Sequence, residues 1–152
     1  MSELIEKQLN KMYQHFNKLN KRKNNMIKED VKQVVKFVNA KVDPTYIWHT
    51  AKDAAVEAVN EYMKDKEEPM YCGFANVKIR PARGKFVSWL KKQEIGDNAY
   101  NGGWRISYYD IMPMSHQYRR TQSMDIKEIG CDAFADVLEK YGIKAYMQSR
   151  AD

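Results

Sequence analysis

The hydropathy patterns of this chain predict a mixed α+β or α/β protein, with N-terminal helices leading into a β-α-β-α-β body. Three observations carry that reading. Apolar residues recur at helical spacing in front of Pro69, they alternate at period two in three short segments behind it, and helical stripes separate those segments. The result is a three-stranded sheet with two covering helices, residues 69–152, behind a helical region, residues 1–68. The whole reads as one compact domain with an N-terminal helical arm.

In the arm, Ile5, Leu9, Met12, Phe16 and Leu19 recur at steps of four and three, a heptad seam over residues 3–20. Lys21-Arg22-Lys23-Asn24-Asn25 reads as a polar turn that ends it. Ile27, Val31, Val34, Val35 and Val38 give a second helix to residue 41. Asp43-Pro44 then has the form of an N-cap followed by proline at the first helical position. That helix presents Ile47, Ala51, Ala55, Val59 and Tyr62 on one face, and Glu67-Glu68-Pro69 ends it.

Behind Pro69, Ala75, Val77 and Ile79 alternate with Asn76, Lys78 and Arg80 as a strand. Pro81 stops the strand, and residues 82–93 form a short helix with Phe86, Val87 and Leu90 inward. A Gly- and Asn-rich turn from Gly96 to Gly103 leads to a second strand with Trp104, Ile106 and Tyr108 on one face. A connection from Asp110 to Gln122 precedes a helix capped by Ser123, with Ile126, Phe134, Val137 and Leu138 buried. Gly142 closes that helix as a left-handed residue, and Ile143, Ala145 and Met147 alternate as the last strand. If both connections are right-handed crossovers, all three strands are parallel; loops of roughly nine and thirteen residues leave room for an antiparallel placement instead.

The net charge is +6, distributed as +6 over residues 1–41, −4 over 42–69 and +4 over 70–152. A basic arm and a moderately basic body favour nucleic acid or other acidic partners. No apolar run approaches the ~20 residues of a membrane span, and the acidic start Met1-Ser2-Glu3 is no signal peptide, so a cytoplasmic protein without membrane partners is expected. Cys72 and Cys131 lie far apart and belong to no paired motif.

The sharpest chemical signal is arginine placed at helix starts, which carry unpaired N–H groups and suit anions. Arg80, Arg83 and Lys85 precede or open one helix, and Arg119 and Arg120 lie just ahead of Ser123. In a parallel sheet both starts fall on one edge and Arg150 arrives there too, making a single polyanion pocket. The arginines would hold phosphate, with Tyr109 and His116 on a base or sugar. No Walker or GxGxxG loop is present, His15, His49 and His116 have no metal-ligand spacing, and no nucleophile–base pair is indicated. The expectation is therefore a binding protein, not an enzyme, with no cofactor and no metal.

Residues 71–152 resemble a group of small, functionally uncharacterised proteins of tailed bacteriophages. The resemblance rests on Gly73-Phe74-Ala75-Asn76-Val77, Pro81-Ala82-Arg83-Gly84, Gly102-Gly103-Trp104, Gln122-Ser123, Ala133-Phe134-Ala135 through Gly142-Ile143, and Ser149-Arg150-Ala151-Asp152. It implies a phage accessory protein acting in the host cytoplasm, binding nucleic acid, a nucleotide or host defence machinery. The alternative function is a protein-binding inhibitor of a host enzyme or defence complex. Its interface would be the seam Ile5, Leu9, Met12 and Phe16, or the aromatics near Tyr100 and Trp104, and the same seam offers a homodimer contact.

Overall fold

The computed structural model describes residues 2–152, with side-chain surroundings for 3–33 and 42–152. The chain falls into two compact units, Met1–Lys41 and Val42–Asp152. The first is one helix, α1 (Ser2–Lys41). The break expected at Lys21–Asn25 is absent: the run holds neither Gly nor Pro, and Lys and Arg are good helix formers. Ile5, Leu9, Met12, Phe16 and Leu19 are 49–70% exposed. The apolar positions expected at Val34, Val35 and Val38 lie outside the described side chains.

The second unit opens with α2 (Pro44–Tyr62), whose N-cap Asp43 accepts a hydrogen bond from the Thr45 N–H at 2.8 Å, with Pro44 at the first position as expected. Then come β1 (Gly73–Ile79), α3 (Lys85–Lys92), β2 (Asp97–Asn98), β3 (Trp104–Ser107), the single turn α4 (Tyr108–Ile111), α5 (Met124–Lys140) and β4 (Ala145–Ala151). The sheet has four strands in the order β2-β3-β1-β4, and every neighbouring pair is antiparallel. The mixed α and β class is as expected; the sheet has four strands where three are expected, and of the two strand directions left open it takes the antiparallel one. β2, only two residues long, sits inside the polar stretch read as a turn, and its hairpin with β3 reverses the chain. This is the split β-α-β, ferredoxin-like connectivity. Among the described residues no helix is long and apolar enough to cross a membrane.

Alternation then sorts the sheet into two faces. Ala75, Val77, Ile79, Trp104, Ile106 and Ala145 point into the core. There they meet Phe86, Val87 and Leu90 of α3 and Ile126, Phe134 and Leu138 of α5. α2 lays its small residues Ala51 and Ala55, with Val59, against α5. The approach is close at Gly130, where an added Cβ would stand 3.0 Å from the Tyr108 ring and 3.2 Å from Val59. Burial of each Val, Ile, Leu or Phe here contributes about 1.5–3 kcal/mol, and Trp48 stacks edge-on to Phe134 at 5.3 Å. The opposite sheet face carries Phe74, Asn76 and Lys78 beside Arg150, Gln148 and Tyr146 on one side and Ser107 and Arg105 on the other.

Candidate functional site

Reversal of β3 and β4 separates the residues expected to share one pocket. Arg80, Arg83 and Lys85 stand at the C-terminal end of β1, whereas Arg150 pairs with Phe74 at its N-terminal end. Six residue steps of strand separate Phe74 from Arg80, about 20 Å. Ser123 is also at the N-terminal end, bridged to Cys72. It is 2% exposed, and its hydroxyl caps α5 by accepting from the Ile126 N–H, so the cap is as expected but the residue is closed to ligand. Arg119 lies over the Tyr109 ring at 4.2 Å, and its Nε is buried without a hydrogen-bond partner. Arg120 is exposed.

His116 is committed to structure. Its Nδ1 accepts from the Tyr118 N–H at 3.1 Å, which leaves the proton on Nε2 to donate to Asn60 Oδ1 at 2.8 Å. Burial lowers its pKa. A base or sugar contact by His116 would have to break one of these bonds. Trp104 is likewise no surface residue: it is 8% exposed, and its Nε1 donates to the Ile95 carbonyl at 2.9 Å. Gly96 permits that approach, since an added Cβ there would fall 2.5 Å from Trp104 Nε1. Tyr100, by contrast, is 99% exposed.

What remains together is the first cluster. A cleft of about 290 Å³ opens at the start of α3, lined by Arg80, Arg83, Lys85 and Lys144 around Gly84, Ile79 and Phe86, and none of its lining residues is acidic. The helix start supplies donors of its own. Gly84 is the N-cap, no side chain caps the turn, and φ is +109° at that glycine. Open space surrounds the position where a Cβ would stand. Arg80 is steadied by donating from Nη2 to the Asn101 carbonyl, and Lys91 anchors the neighbouring turn through the Ala82 carbonyl at 3.2 Å. Lys144 was not singled out in the sequence. Its position two residues past the helix-closing Gly142 was the available signal, because an antiparallel last strand starts where β1 ends.

A second, larger groove of about 870 Å³ lies on the open sheet face, bordered by Phe74, Asn76, Asp97, Arg105, Ser107 and Arg150. Arg105 is paired two-pronged with Asp97, at 2.9 and 2.6 Å, and Asp110 binds the Ser107 hydroxyl at 3.0 Å. Asn76 Oδ1 is buried there without a partner. Lys127 and Arg150 approach the Phe74 ring at 5.1 and 5.5 Å. Glu94, Asp97 and Asp110 outnumber Arg105 and Arg150 in its lining, so it offers a polyanion less than the α3 cleft does.

No protein-family model, curated protein or solved structure matches the chain. The connectivity alone names no activity, so function has to be argued from the cleft.

Proposed function

We propose that this protein is a non-enzymatic, phage-type accessory protein that binds a phosphate-rich ligand, nucleic acid or nucleotide, at the start of α3. The observation that supports it is the convergence of Arg80, Arg83, Lys85 and Lys144 on one cleft with no acidic lining residue. Two arginine forks and two lysine ammonium groups suit phosphate oxygens, and an uncapped helix start adds N–H donors and a favourable dipole. Residues at the other end of β1 act separately; Arg120 and Arg150 are not part of this site.

The test is anisotropy of a labelled single-stranded oligonucleotide across a salt series. Neutralising four phosphates predicts a log–log slope of roughly −2.8, at about 0.7 per phosphate. Arg83→Ala with Lys85→Ala should remove most of the affinity and flatten the slope, while thermal stability stays unchanged because both side chains are exposed. Full affinity in that double variant, or binding indifferent to salt, sinks the reading.

A second reading, capture of a host protein by α1, is favoured by the exposed seam of Ile5, Leu9, Met12 and Phe16. Removal of α1 separates the two readings.

A further inference from the structure

β4 is an edge strand of seven residues, AYMQSRA, with no proline. Long open edges of this kind are templates for another strand. The backbone bonds to β1 show which groups face outward. Arg80 N–H donates to the Lys144 carbonyl at 3.1 Å, and Asp152 N–H donates to the Cys72 carbonyl at 3.2 Å. In an antiparallel ladder, hydrogen-bonded pairs alternate, so the even-numbered residues of β4 bond inward to β1. Met147, Ser149 and Ala151 therefore present N–H and C=O outward. Ala145 is the exception that fixes the parity: its outward N–H is taken by Glu139 Oε1 at 3.0 Å.

We propose that β4 pairs edge to edge, antiparallel, with β4 of a second copy, Gln148 opposite Gln148, joining two sheets into one. Parity admits only registers that put odd residues opposite odd residues, and charge selects among these. With Gln148 at the two-fold axis, Met147 and Ser149 exchange both hydrogen bonds across the axis. The Ala151 N–H meets the Ala145 carbonyl of the other copy. On the open face Lys144 then stands opposite Asp152, and Tyr146 opposite Arg150, each pair twice. Arg150 already lies over Phe74, so its guanidinium would sit between two rings, a favourable place for it. Ala145 faces Ala151 and Met147 faces Ser149 on the other side, with no bulk in conflict. Moving the axis to Met147 sets Lys144 against Arg150, a like-charge pair. Moving it to Ser149 sets Asp152 against Tyr146 and leaves Lys144 without an acid. One register is thus complementary to itself, as an isologous dimer contact must be.

The test is sedimentation equilibrium of the full chain carrying Leu9→Glu and Phe16→Glu, so that association through α1 is removed. Mass should rise with concentration from 17.9 kDa towards twice that value. Ser149→Pro removes an outward N–H and should leave a monomer. Lys144→Glu and Asp152→Lys, each alone, should raise the dissociation constant roughly tenfold by turning an attractive cross-strand pair repulsive. Together they should bring it back to within about threefold of the parent, a coupling independent of whether the proline variant folds. A monomer at every concentration, a dimer that survives Ser149→Pro with its fold intact, or charge reversals that simply add would overturn the proposal. None of these readouts involves phosphate; Lys144 is shared with the cleft, so the cleft reading is tested separately by Arg83→Ala with Lys85→Ala.

Discussion

His116 illustrates how one side chain can be read as a ligand contact in the sequence and serve as a strut in the structure. Its two nitrogens tie the 110–122 connection to α2 through Tyr118 and Asn60, and that use requires the neutral ring. Burial lowers the pKa, so the unfolded chain binds the proton more readily than the native one. The stabilisation is then fully present above the unfolded value of about 6.5 and is lost as pH falls from there through the lower native value. Thermal melts between pH 7.5 and 5 should show the loss, and His116→Gln should flatten that part of the profile. An unchanged slope in the variant would show that another group carries it. Trp104 teaches a related lesson. Read as one of the displayed aromatics near Tyr100, it is instead covered, because Gly96 leaves room for the indole where an added Cβ would stand 2.5 Å from its Nε1.

At the level of elements, the sequence was most legible where one side chain closes a local motif. Asp43, Ser123 and Gly142 act where their chemistry says, the last with φ of +78°, because caps depend on neighbours a few residues away. Strand direction was illegible because it depends on β2, and two polar residues, Asp97 and Asn98, leave no alternation to read. The crossovers do run between parallel strands, β1 to β2 and β3 to β4, but the hairpin between them turns the second pair over. That single reversal kept Arg80, Arg83 and Lys85 together and sent Arg119, Arg120 and Arg150 to the far end. The hairpin is itself held by backbone geometry at Gly103, where φ is +90° and an added Cβ would lie 2.9 Å from the Ile79 carbonyl. Gly103→Ala combines strain and collision and should cost more than about 1–2 kcal/mol, lowering Tm by several degrees. Gly84→Ala meets open space and carries the strain alone, so it should be the milder of the two. The reverse ranking in thermal melts would contradict this account of the hairpin.

For the molecule as a whole, the uneven charge matters more than its sum. Residues 1–41 carry the entire net +6, which leaves residues 42–152 neutral overall. Residues 42–152 form a compact unit with a buried core of their own, so a chain lacking residues 1–41 should fold with an unchanged Tm. If phosphate is held in the α3 cleft, the truncated protein keeps its binding residues but loses the long-range field that raises anion encounter rates. Dissociation rates should stay within about threefold, while association at low salt slows roughly tenfold or more; at high salt, where fields are screened within a few ångströms, the two proteins should converge. If α1 instead captures a host protein through Ile5, Leu9, Met12 and Phe16, truncation abolishes capture at every salt concentration and leaves oligonucleotide binding intact. Stopped-flow association with an oligonucleotide, run beside a pull-down with both proteins, therefore separates a steering helix from a docking helix. Oligonucleotide affinity lost at all salt concentrations, with the truncated fold intact, would move phosphate binding out of the cleft and onto the arm.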